Sequence, residues 1–70
     1  STRIVACAAC DTLREVLSAL QKDRESLSVE ALKIQDKAIR SLIFDVSICI
    51  LSLGSYIETL VEALASECQQ

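Results

Sequence analysis

Four cysteines are the residues of this chain best able to do chemistry. Cys7 and Cys10 stand three apart in "CAAC", Cys49 lies in "SICIL", Cys68 falls near the end, and histidine is absent. Zinc asks for four ligands, usually as two closely spaced pairs of Cys or His. Only one pair is close here, so a four-thiolate centre would need three separate segments to converge, and no metal is assigned. A thiol–disulfide oxidoreductase places Cys-x-x-Cys in a βαβ framework with the leading thiol at a helix start. Of these conditions only the helix start is met. A local Cys7–Cys10 bridge is within geometric reach, and disulfides between segments drawn from Cys7, Cys10, Cys49 and Cys68 would staple a small core. The reading preferred from sequence is plainer: free cysteine behaves as a small, readily buried hydrophobe, which suits Cys10, Cys49 and Cys68 on apolar faces.

Other catalytic chemistry finds no constellation. A nucleophile needs a neighbouring base, and without histidine the candidates are carboxylates spread over solvated faces. Asp45 alone lies inside an apolar stretch, where a water-facing helix edge or an arginine partner accounts for it. The chain therefore reads as a non-enzyme with no catalytic residue and no cofactor.

Composition points to association. Seventy residues make one domain, 1–70, and a monomer this small hides only roughly 60% of its unfolded surface. With 51% hydrophobic residues, no proline and one glycine, the chain has few turns for strand connections, and helices are the default. So apolar a chain gains most by burying surface against a second copy or a neighbouring helical protein. An oligomer or an excised piece of a longer protein is expected. The net charge of −3, seven scattered Lys and Arg, and only Phe44 and Tyr56 as aromatics argue against nucleic acid, which asks for a basic stripe and stacking platforms. No basic and apolar leader opens the chain, so Ser1 reads as a boundary set by processing or excision. The longest apolar stretch, Leu42 to Leu53, is interrupted by Asp45, Ser47 and Ser52 and falls short of the roughly 18 residues of a membrane span. No span is expected.

The elements follow from periodicity. Ala6, Ala9, Cys10, Leu13, Val16, Leu17 and Leu20 recur at three- and four-residue steps, predicting an amphipathic helix over about 3–21 with Cys10 at the edge of its apolar face and Cys7 turned aside. "QKDRES", 21–26, carries four charges and no hydrophobe and reads as a connection. A second, central helix is predicted over 27–53, capped by Asp23, Ser26 or Ser28. The alternation in "FDVSICI", 44–50, suits a half-buried strand, but no second run exists to pair with it, so helix is preferred. Gly54 reads as the stop of that helix, and Ser55 three before Glu58 as a capping box opening a third helix over 56–68. The expectation is an all-α, three-helix antiparallel bundle with a long central helix, dimerised through a shared apolar surface. Leu13, Leu17 and Leu20, then Leu42, Val46 and Ile50, then Ile57, Leu60 and Leu64 should form that surface, part core and part interface.

Two families share features of this layout. A Cys-led leucine helix, a charged gap, then "SVEALKIQDKAIRSLIFDVSIC" and "SLGSYIETLVEALASE" resemble the C-terminal regulatory region of fungal binuclear-zinc-cluster transcription factors of the aflatoxin-regulator type. Lys37, Ala38, Ile39 and Cys49 occupy that arrangement, with Ser52, Tyr56 and Leu60 following, while Ile50, Leu51 and Ser52 stand where the family usually has a second Cys. The resemblance implies a regulatory or dimerising module of a larger protein. Cys7, Cys49 and Cys68 also look like the layout of secretoglobins, with Ala8 replacing the usual proline after the first cysteine. That likeness implies a secreted dimer, linked by interchain disulfides, enclosing an apolar ligand. Cysteine oxidation would separate an intracellular module from a secreted carrier.

One substitution tests the face assignment. Val46→Asp places an unpaired charge in the inferred dry seam and should unfold the domain or disperse its oligomer. A fully helical, unchanged assembly by circular dichroism and light scattering would refute it.

Overall fold

Ala6, Cys10, Leu13, Leu17, Leu20, Arg24, Leu27 and Ala31 alternate steps of four and three, and Arg40, Ile43, Ser47, Ile50, Gly54, Ile57, Val61, Leu64 and Cys68 do the same. That alternation is the heptad spacing of helices lying nearly parallel to each other. The computed structural model describes residues 1–70 and brings these two tracks face to face. Helix α1 runs Thr2–Ala31 and helix α2 runs Lys37–Cys68. They pack antiparallel along their whole length as a rod of 52 × 14 × 12 Å, and no track residue is exposed.

Local chemistry sets the ends. The Ser1 hydroxyl accepts a hydrogen bond from the Ile4 amide, and the Asp36 carboxylate accepts one from the Ile39 amide at 3.0 Å, so each helix starts on a favoured N-cap residue. In the turn, Lys33 pairs with Glu30 at 3.0 Å. The Arg40 guanidinium reaches back to donate to the Ile34 carbonyl at 2.8 Å, satisfying an acceptor that the turn would otherwise leave to water.

The fold is all-α, as expected, but it has two helices where three were predicted. "QKDRES" is not a connection. Gln, Lys, Arg and Glu are good helix formers, and Arg24 and Leu27 carry the seam of α1 onward through this charged run. Ser28 does not cap a following helix; its hydroxyl donates to the Arg24 carbonyl at 3.1 Å. The chain turns instead at 32–36, between the last seam residue of α1 and the first of α2. Gly54 is likewise no stop: it has no positive φ and sits in mid-helix on the seam. Ser55 forms no capping box, since its hydroxyl donates to the Leu51 carbonyl one turn earlier. The predicted central helix over 27–53 is thus divided at 32–36, and its second part is continuous with the predicted third helix.

The core is thin because two helices share one line of contact. Its fully buried members are small: Ala6, Cys10, Ala31 and Ser47. Larger seam residues such as Leu17 and Ile50 are half-buried, and no large side chain is fully enclosed.

A Cβ added at Gly54 would meet the Leu17 Cδ1 at 3.6 Å, an ordinary contact. Glycine within a helix costs about 0.5–1 kcal/mol relative to alanine. Gly54→Ala should therefore raise the thermal midpoint by a few degrees. A lowered midpoint would indicate a break at this position and contradict the continuous α2.

Candidate functional site

The structure separates the four thiols into three settings. Cys7 in the first turns of α1 and Cys68 at the end of α2 are joined as a disulfide, 61 residues apart in sequence and 4.9 Å apart between α-carbons. Cys10 is buried and unpaired, and its thiol donates to the Val61 carbonyl at 3.8 Å. Cys49 is unpaired and exposed on α2. The sequence-level preference for buried thiols describes Cys10, whereas Cys7 leaves the flank assigned to it for a bridge, Cys68 is its partner, and Cys49 faces outward. The antiparallel arrangement is the reason: it brings the start of α1 beside the end of α2, a neighbourhood that a three-helix path does not make. The hairpin is closed covalently at one end and by the 32–36 turn at the other.

No three His, Cys, Asp or Glu side chains converge on a point where they could hold a metal ion. The most enclosed groove, about 200 Å³, runs between the helices and is lined by Leu17, Gln21, Arg24, Ile50, Leu51, Ser55 and Glu58 among others. The Arg24 Nε there is buried without a hydrogen-bond partner. A second groove, beside the disulfide, takes in Asp11 and Arg14, which face each other at 3.9 Å on the surface. Asp11, Arg14, Gln21, Ser55 and Glu58 thus share one side of the rod with the exposed Leu51.

The other side differs. Of the nine predicted surface residues, Leu13, Leu17, Leu20, Ile50, Ile57 and Leu64 lie half-buried in the seam between the helices. Leu42, Val46 and Leu60 do not reach it. They are 63, 51 and 48% exposed and belong to a second track on α2, one residue back from the first and so about 100° around the helix. With Cys49, Leu53 and Tyr56 they form an exposed stripe that carries no charge. Sequence reasoning missed Tyr56 because it ended a helix at Gly54. The signal was present, since the four–three spacing runs through that glycine unbroken.

The continuity of α2 also lengthens the apolar run beyond Leu53. From Ser41 to Ile57 only Asp45 is charged. The helix reaches a mean hydropathy of 1.6 over its most apolar window and by length and composition alone is sufficient to cross a membrane.

Compared with protein-family models, curated proteins and solved structures, the chain finds no match.

Two measurements test the thiol assignment. Alkylation of the native, unreduced chain should label Cys49 and spare Cys10, with two sites labelled after denaturation; labelling of four would remove the bridge. Because the bridge closes a loop of nearly the whole chain, reducing it should lower stability by up to about 4 kcal/mol on the chain-entropy account. An unchanged denaturation midpoint on reduction would contradict that.

Proposed function

We propose that this chain is a protein–protein association module: a helical hairpin that uses the outer apolar stripe of α2 to bind a further helix, either from a second copy or from another helical protein. The observation that carries the reading is the stripe itself. Six residues, Leu42 to Leu60, hold coiled-coil spacing on a helix whose first seam is already occupied by α1. A heptad track with no charge in it is the form taken by a helix-binding face, with apolar knobs supplying affinity and rim charges supplying selectivity. On this reading the hairpin is a rigid platform and does no chemistry of its own, and a regulatory or dimerising segment of a larger protein is one setting that suits it.

Charge and connectivity favour a protein partner over a bilayer. α1 lies along all of α2 and is bonded to it through Cys7, so α2 enters hydrocarbon only with α1 beside it. Between Asp11 and Glu30, α1 carries eight charged residues, each costing about 2.5–3.5 kcal/mol at the centre of a membrane. Surface-bound amphipathic helices are edged with Lys and Arg, whereas this chain has a net charge of −3. Nucleic acid is disfavoured on the same ground.

A second reading, a small secreted carrier of an apolar ligand, draws support from the disulfide, since such bonds persist in oxidising compartments. It requires a covalent dimer around an enclosed cavity. Here Cys7 and Cys68 are bonded to each other within one chain, which leaves only Cys49 exposed for an interchain link.

Light scattering over a range of micromolar concentrations, with and without reductant, tests the proposal. The oxidised chain should associate reversibly with itself, or show a single binding stoichiometry with a helical partner, without a covalent link. Val46 lies outside the hairpin seam, so Val46→Asp should now leave helicity intact and weaken association at least tenfold, a loss of about 1.4 kcal/mol or more. A strictly monomeric chain that binds no helix would overturn the proposal, and a mass that falls only on reduction would favour the carrier.

A further inference from the structure

The groove beside the bridge holds a third sulfur. About 210 Å³ in volume, it is lined by Cys7, Cys10 and Cys68 together with Asp11 and Arg14. Cys10 is 2% exposed and unpaired, and its thiol, a weak donor, meets the Val61 carbonyl at 3.8 Å. We propose that this groove is a thiol–disulfide exchange site, in which Cys10 takes over the bond to Cys7 and releases Cys68. The bridge thereby moves from one that ties the two helices together to one that lies within α1. This step goes beyond the association reading and does not depend on it, since it acts on the chain itself and turns over no outside substrate.

Helix geometry brings the attacking thiol within reach. Residues three apart on an α-helix have α-carbons about 5 Å apart, inside the range that a disulfide spans. Helical side chains tilt toward the N-terminus, which leans Cys10 back over the turn that holds Cys7. Cys49, the other free thiol, lies nineteen residues from Cys68 along α2, about 28 Å away, and is out of reach within one hairpin.

The step balances without an oxidant or a reductant. Cys10 gives its proton to water, and the thiolate, which is the attacking form, makes a bond to the Cys7 Sγ. The Cys7–Cys68 bond breaks, its electron pair leaves on the Cys68 Sγ, and that sulfur takes up a proton. One disulfide and two free thiols are present before and after. Packing decides where the bridge rests. α2 ends at Cys68, and helix ends fray. Closing a long loop costs an open chain more than closing a short one, so the packed hairpin favours Cys7–Cys68 and an opened end favours Cys7–Cys10. After exchange the 32–36 turn is the only covalent connection between the helices.

Peptide mapping of the folded chain tests the site. Cys49→Ser removes the thiol that lies outside the groove. Trypsin cuts after Arg3, Arg14 and Arg40, which puts Cys7 and Cys10 on one peptide, 4–14, and Cys68 on another, 41–70. The unreduced Cys49→Ser chain is held in mildly alkaline buffer, quenched with acid, labelled with N-ethylmaleimide in acidic denaturant and digested. At the start the two peptides should be disulfide-linked, with the label on Cys10. Exchange should release 4–14 as an unlabelled internal disulfide and leave the label on Cys68. The released peptide should exceed that from a sample kept in acid at least tenfold, with a yield independent of chain concentration. Cys10→Ala in the same background, with circular dichroism to establish that both chains keep their helicity, should retain the Cys7–Cys68 bridge throughout. Peptides that stay linked with the label on Cys10 would overturn the proposal, as would release of Cys68 from the Cys10→Ala chain. Label on Cys7, which marks a Cys10–Cys68 product, or a yield that rises with concentration, which marks exchange between chains, would overturn it as well.

Discussion

The structure depends on the packing of two heptad tracks against each other along a single line. Each helix alone is a marginal object in water, because helix nucleation is costly and most helical stability in proteins comes from a covered apolar face. α1 and α2 supply that cover reciprocally. Small residues make the line close: Ala6, Cys10 and Ala31 on α1, and Ser47 and Gly54 on α2, allow the helices to approach while leucines and isoleucines fill the space to either side. One line of contact covers one face of each helix. α1 leaves Ile4, Val5, Val16 and Val29 exposed between charged residues, whereas α2 leaves a longer uncharged run uncovered.

This imbalance is where the functional account originates. α2 is apolar almost all round between Arg40 and Glu58, a pattern that belongs to a helix with neighbours on more than one side. The hairpin gives it one neighbour. The disulfide at one end and the short 32–36 turn at the other hold the two helices in register, so the outer stripe is presented as a fixed surface. A prearranged face of this kind needs little further ordering on binding, which favours affinity for a given area. On the association reading, the outer stripe also accounts for how a chain with so thin a core can carry so much hydrophobic sequence.

Much of the secondary structure was legible, and the points of failure share one cause. Helix was readable from the three–four recurrence of Ala6 to Leu20 and from the absence of proline. The breaks were misplaced because local signals were weighed above the longer period. "QKDRES" has the composition of a loop, yet Arg24 and Leu27 keep the phase set by Leu17 and Leu20. Gly54 and Ser55 have the composition of a stop and a start, yet Ile50, Gly54 and Ile57 keep one phase as well. The actual turn, 32–36, carries neither glycine nor proline; its strongest mark is Asp36 in front of a new apolar phase. Six of the nine residues chosen for a shared surface fall in the seam and three on the outer stripe. The division was not readable until the number of helices was known, because it depends on which face α1 occupies. The Cys7–Cys68 bridge was hidden for the same reason, since it needs the antiparallel hairpin to bring the chain ends together.

The central claim is that one face of α2 is finished by another helix lying alongside it. Small-angle X-ray scattering of the oxidised chain measures this most directly, since forward scattering gives mass and the distance distribution gives length. The account predicts a mass above the 7.6 kDa of one chain, alone or with a helical partner, and a longest dimension that stays near the 52 Å of a single hairpin, as rods packed side by side require. A mass of one chain at high concentration that no helical partner raises, or a larger mass in a particle much longer than one hairpin, would contradict it.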